Sequence, residues 1–115
     1  MTIRILHNPR CSKSRATLAL LQERGLDPEI TLYLESPPDT GELRSILGKL
    51  GLTARQLMRK GEAEYRDQGL ADESLNEEDL IAAMVATPKL IERPIVLANE
   101  RAAIGRPPES VLDIL

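Results

Sequence analysis

The stretch IRILHNPRCSKSR, Ile3 to Arg15, decides how the chain is read. Ile3 to Leu6 is a short apolar-rich run closed by Asn8-Pro9, the pattern of a buried strand running into a loop. Leu18, Leu20 and Leu21 then fall in a helical segment that Gly25 should stop, as the C′ residue after Arg24. A loop between that strand and that helix delivers Cys11 to the helix N-terminus. There the unbonded backbone N–H groups and the positive end of the dipole favour an anion. A thiolate is such an anion, and cations near a helix N-terminus lower a cysteine pKa from about 8.5 into the range of roughly 3.5–7.5.

The charge around this cysteine is one-sided. Up to Gln22 the sequence holds Arg4, Arg10, Lys13 and Arg15 and no acid, and Glu23 is the first carboxylate. His7, four residues before Cys11, can add a positive charge or a hydrogen bond, or serve only the packing of the strand end. Ser12 and Ser14 can orient an anion or cap the helix, and capping is the simpler role. Cys11 is the only cysteine. It cannot close an internal disulfide, and one Cys with one His cannot supply the three or four ligands of a zinc site, so no metal is expected. In the local pattern Cys11-Ser12-Lys13-Ser14 a serine stands where a dithiol oxidoreductase has its second cysteine. A resolving thiol must therefore come from outside, from glutathione, a glutaredoxin or another donor.

Outward from this stretch the pattern alternates. Ile30, Leu32 and Leu34 alternate with Thr31 and Tyr33, the period of a second strand, which SPPD closes. Asp39 or Thr40 can cap a helix whose apolar face is Leu43, Ile46, Leu47 and Leu50 and whose stop is Gly51. Thr53 to Gln56 matches a capping box that starts a short helix with Leu57 and Met58. The polar stretch from Glu62 to Ser74 reads as a short helix plus loop. Asn76 caps a helix to about Thr87, with Glu77, Glu78 and Asp79 at the positive end of its dipole and Leu75 and Leu80 as a hydrophobic staple. Ile95 to Ala98 and Arg101 to Ile104 form a hairpin turned at Asn99-Glu100. Pro107 and Pro108 open a final helix ending at Leu115.

The order β-α-β, helical middle, hairpin, helix gives an α/β fold. Right-handed crossover makes the first two strands parallel and the hairpin adds antiparallel strands, so the sheet is mixed and four-stranded. That layout is thioredoxin-like (glutaredoxin-type), with a helical insertion between the second and third strands. At 115 residues and 42 % hydrophobic, one domain over residues 1–115 is expected, burying about 65 % of its unfolded surface. A net charge of −3 with two Tyr, no Phe and no Trp leaves neither a basic face nor a stacking platform, so nucleic acid is not an expected partner. MTIRIL is too short and polar for a signal peptide and no apolar run spans a bilayer. A cytoplasmic chain without membrane contact is expected, and a monomer.

HNPRCSKSR, LYLESPP, LMRK, ERPIV and IGRPPESVLDIL together resemble the arsenate reductase (ArsC) family of the thioredoxin superfamily, the branch coupled to glutathione and glutaredoxin. The resemblance covers essentially the whole chain, and within the family it is nearest a short arsenate reductase-like subgroup. It implies that Cys11 is the nucleophile and that Arg59, Arg93 and Arg106 bind the oxyanion. It implies too that Pro94 is a cis-proline facing the cysteine loop, although Pro is also tolerated at a strand opening. The arginines suit the task physically. A planar guanidinium donates two parallel hydrogen bonds to a tetrahedral oxyanion and stays charged, whereas lysine offers a point charge.

The implied activity is reduction of arsenate to arsenite with glutathione as co-substrate, glutaredoxin as partner and no bound cofactor. Two alternatives stand beside it: a Spx-like regulatory module that grips RNA polymerase without turnover, and a glutathione-linked thiol oxidoreductase acting on another substrate. The missing C-x-x-C argues against the first, and the arginine cluster against the second. The chain departs from the better-studied reductases by ending at Leu115 and by placing Arg10 and Lys13 around the cysteine. Those departures leave the bound oxyanion open among arsenate, phosphate and sulfate.

Overall fold

A computed structural model describes residues 2–115; Met1, the first residue of the domain expected over 1–115, lies outside the described residues. The chain forms two compact units: unit 1 holds residues 2–36 and 93–115, and unit 2 holds residues 37–92. Among the described residues no helix is long and apolar enough to cross a membrane.

Unit 1 is built on a four-stranded sheet of β1 (Ile3–His7), β2 (Glu29–Leu32), β3 (Ile95–Ala98) and β4 (Arg101–Ile104) in the order β2-β1-β3-β4. β1 pairs parallel with β2, with Ile5 opposite Ile30, and antiparallel with β3, with Ile5 opposite Val96. The hairpin β3–β4 is antiparallel and turns at Asn99 and Glu100, both at positive φ (54° and 60°). Two consecutive left-handed residues match the right-handed twist of the flanking strands. The helix α1 (Ser12–Glu23) packs on β1. Ile3, Ile5, Leu21, Val96, Ala98, Val111 and Ile114 form the core, each at most 5 % exposed. Burying a side chain of this size stabilises by about 1.5–3 kcal/mol relative to leaving it in water.

Two expectations change here. The second strand ends at Leu32 and the chain turns over residues 33–35. The alternating set Ile30, Leu32 and Leu34 faces outward, 46 %, 37 % and 45 % exposed, while Tyr33 is buried. Alternation states the period of a strand but not which set points inward, and on an edge strand the rule of apolar residues inside is weakest. The C-terminal helix is a 3₁₀ helix over Pro108–Ile114, with Pro107 at its N-cap after a cis Arg106–Pro107 peptide. Its bonds from Ser110 N–H to the Pro107 carbonyl (3.0 Å) and from Leu115 N–H to the Leu112 carbonyl (3.3 Å) span three residues.

Unit 2 is helical: α2 (Thr40–Leu50), α3 (Ala54–Leu57), α4 (Ala63–Asp67), α5 (Glu77–Ala86) and a 3₁₀ turn over Pro88–Leu90 that the sequence reading did not contain. α5 packs on α2 and α3, and Leu43, Ile46, Leu57, Leu80, Ile81 and Met84 are buried. Its caps follow the sequence. Asp39 accepts the Glu42 N–H at 2.8 Å and Gly51 ends α2 at φ 68°. The Thr53–Gln56 and Asn76–Asp79 capping boxes are both closed in both directions.

Candidate active site

Cys11 is the N-cap of α1 and is buried, 9 % exposed. Its own N–H is bound by the Asn8 carbonyl at 3.0 Å, which closes the loop over Asn8–Cys11. The Asn8 Oδ1 accepts from Arg10 N–H at 3.0 Å, and the Arg15 guanidinium donates back to the Pro9 carbonyl at 3.0 Å. The loop is therefore fixed from both sides, and the sulfur has a defined position.

Two arginines from unit 1 come to that sulfur. Arg106 donates from Nη2 to Cys11 Sγ at 3.5 Å and from Nε to the Arg93 carbonyl at 2.8 Å, so one guanidinium ties the β4 exit to the segment two residues before β3. Burial pushes the Cys11 thiol pKa up, but the Ser14 N–H, the Arg93 charge, the Lys13 N–H and the Arg106 charge together pull it below the ordinary value of 9.0. Neither N–H closes a full hydrogen bond to the sulfur, yet both lie near enough to favour its charged form. The helix N-terminus and the guanidiniums act in one direction, against desolvation.

Ser12 and Ser14 do not cap α1, which has no side-chain cap hydrogen bond. Ser14 is fully buried and its hydroxyl oxygen instead accepts the Asn8 N–H at 3.0 Å and meets His7 Nδ1 at 2.6 Å. Burial, and then the Arg15 charge, hold the His7 pKa below 6.5. A neutral imidazole accepting the Ser14 proton at Nδ1 satisfies all three groups. His7 thus contributes a hydrogen bond to the loop and no positive charge to the thiol.

The Arg93–Pro94 peptide is cis. Pro94 packs near two residues the sequence reading missed, Thr17 and Gly105. The buried Thr17 hydroxyl donates to the Lys13 carbonyl at 2.8 Å and lies 3.5 Å from the Gly105 carbonyl. A Cβ on Gly105 would overlap the Thr17 hydroxyl and sit 2.8 Å from Pro94 Cγ. Gly105 is bound through its N–H to the Pro94 carbonyl at 3.0 Å. Through Gly105, which approaches both Thr17 and Pro94, α1 is seated against the segments that carry Arg93 and Arg106. A glycine directly before Arg106 was its only trace in the sequence.

Arg59 belongs to unit 2, just after α3. Its N–H donates to the Leu90 carbonyl at 2.7 Å, and its guanidinium pairs with Glu62 at 2.6 Å. It lines an open cleft of about 370 Å³ with Met58, Lys60, Gly61, Glu62 and Glu92. Among the described residues no group of three or more His, Cys, Asp or Glu could hold a metal ion.

A single cysteine at the N-terminus of the first helix of a mixed four-stranded sheet, beside a cis-proline and two arginines, defines a thioredoxin-like protein with a one-thiol site. The ArsC family model matches residues 6–114, and the chain belongs to that family. It is 60 % identical over 114 residues to the uncharacterized protein YfgD of Escherichia coli strain K12, covering 98 % of this chain and 96 % of that one. It is 51 % identical over 114 residues to a protein of Neisseria meningitidis serogroup A named arsenate reductase, with 98 % and 97 % covered. The solved structure of an arsenate reductase from Vibrio cholerae superposes with a TM-score of 0.97 at 50 % identity, over 100 % of this chain and 98 % of that one.

Proposed function

We propose that this chain reduces arsenate to arsenite through Cys11, with glutathione as co-substrate. The observation that carries the reading is the Arg106 guanidinium 3.5 Å from the Cys11 sulfur, in a chain similar to proteins named arsenate reductase. The ionised sulfur attacks arsenic, an S–As bond forms, and an arsenic-bound oxygen leaves as water. The glutathione thiol then displaces a second arsenic-bound oxygen as water and forms a second S–As bond. The sulfurs of Cys11 and glutathione next bond to each other while both S–As bonds break: one electron pair makes the disulfide, the other stays on arsenic, and arsenic(III) departs as arsenite. Glutaredoxin or another thiol donor then reduces the Cys11–glutathione disulfide by exchange.

In this reading Arg93 and Arg106 hold the oxyanion against the thiolate and offset the repulsion between two anions. Arg59, from the LMRK motif and beside an open cleft, is a further oxyanion ligand. Ser14 and His7 hold the loop and Pro94 seats it. The chain works as a monomer in the cytoplasm, a compartment where glutathione keeps thiols reduced. The test is a coupled assay in which NADPH, glutathione reductase, glutathione and glutaredoxin are supplied with arsenate. Arsenite should appear with matched NADPH loss, and omission of either arsenate or glutathione should stop it. Absence of arsenite with all components present would overturn the reading.

A further inference from the structure

Arg59 does not stand ready as an anion ligand. Its Nη2 is 2.6 Å from Glu62 Oε1, with both side chains only about one-fifth exposed (21 % and 19 %), and its Nη1 reaches the Lys89 carbonyl at 3.4 Å. The other Glu62 oxygen, Oε2, lies 3.4 Å from Lys89 Nζ, and Lys89 is also 3.4 Å from Glu64. Glu62 is therefore shared by two cations, Arg59, which lines the cleft with it, and Lys89, which does not. An oxyanion that takes the paired Nη1/Nη2 end of the Arg59 guanidinium needs the Nη2 that the Glu62 carboxylate now holds.

We propose that Glu62 is an internal anion competing with the incoming oxyanion for Arg59, and that Lys89 receives the carboxylate when the oxyanion takes the arginine. This rests on the reading of Arg59 as an oxyanion ligand and deepens it. The carboxylate keeps a half-buried guanidinium paired while no substrate is bound, and it sets the affinity at which substrate replaces it. Lys89 makes the exchange reversible, because a Glu62 that lost Arg59 without a second cation would leave a poorly solvated negative charge beside a bound dianion. Glu62 is thus a positioning residue that sets specificity for strongly charged tetrahedral anions, which can displace a carboxylate where weaker anions cannot.

The two partners of Glu62 give opposite signs, which a structural role alone would not produce. Arsenate binding is measured by titration calorimetry on the full chain carrying Cys11→Ser, so that only the non-covalent step is read. Glu62→Gln keeps the shape and removes the charge, and should tighten arsenate about twofold to fivefold, the scale of one partly exposed ion pair. Lys89→Gln should weaken it by a similar factor. Arg59→Ala, measured alongside, should weaken it about tenfold or more, as loss of a charge-assisted bidentate contact does. If Arg59→Ala binds arsenate like its parent, the assignment of Arg59 as a ligand fails. If Arg59→Ala weakens binding while Glu62→Gln leaves it unchanged or weaker, the competition fails and the ligand assignment stands. Thermal melts of the variants confirm that each is folded.

Discussion

Three of the four α-helices of unit 2 begin in a way that α1 of unit 1 does not; the short α4, with Glu62 at its N-cap and no side-chain cap, is the exception. In unit 2, α2, α3 and α5 each start with a side-chain oxygen on the N–H three residues on: Asp39 on Glu42 at 2.8 Å, Thr53 on Gln56 at 3.2 Å, and Asn76 on Asp79 at 2.9 Å. In unit 1, α1 starts with Cys11, and no oxygen caps it. The N–H groups of Lys13 and Ser14 lower the thiol pKa instead of closing a cap. A capped helix spends its end charge on its own stability, whereas α1 leaves that charge for a sulfur. The Ser14 hydroxyl is engaged in the His7–Asn8 loop instead.

The largest effect that sharpens this contrast comes from Cys11→Ser. It places a good capping oxygen where the sulfur stands, so arsenite formation should vanish in the coupled assay while the melting temperature holds or rises. A melting temperature several degrees lower would mean that α1 is not an uncapped helix in the sense described. Next is Gly105→Ala, whose methyl group overlaps Thr17 and presses on Pro94. Overpacking of this kind costs about 1–3 kcal/mol, and chemical denaturation should show it together with slower Cys11 alkylation as Arg106 shifts. Asn76→Ala removes a cap in unit 2 and should cost about 1 kcal/mol, with Cys11 reactivity unchanged.

The smallest effect is the pH dependence from His7. Its folded pKa lies below 6.5, so the unfolded chain takes up the proton first. The His7 contribution is complete above the unfolded value and is lost as pH falls through the folded one. Urea midpoints should fall on acidification below 6.5, and His7→Gln should flatten that part of the slope. An equal slope in His7→Gln would assign the acid sensitivity to other groups.

Local chemistry was legible in the sequence where it acts within a few residues. The Asp39 cap, the Gly51 stop, the Thr53–Gln56 capping box, the Asn76 cap and the Asn99-Glu100 turn each stand where their residue types put them. So does Cys11 at the head of α1, because a strand, an Asn-Pro loop and a helix leave it no other place. What stayed hidden depends on contacts far apart in the chain or on choices that patterning leaves even. The Thr17–Gly105 approach joins residues 88 apart, and no spacing rule reaches across that distance. The outward turn of Ile30 and Leu32 is a choice between two faces of one period. The Arg59–Glu62 pair is three residues apart and visible in principle, but both residues are common on helix surfaces, and only their shared burial beside a cleft gives the pair meaning.

The most direct measurement is the Cys11 thiol pKa, read from the pH dependence of iodoacetamide alkylation or of thiolate absorbance, in the parent chain and in Arg106→Ala. The expected midpoint lies below that of a free cysteine titrated alongside, as the lowered thiol pKa requires, and moves up when Arg106 is removed. A midpoint at or above that of the free cysteine in the parent, or one indifferent to Arg106, would contradict a sulfur held as an anion by the helix end and its arginines.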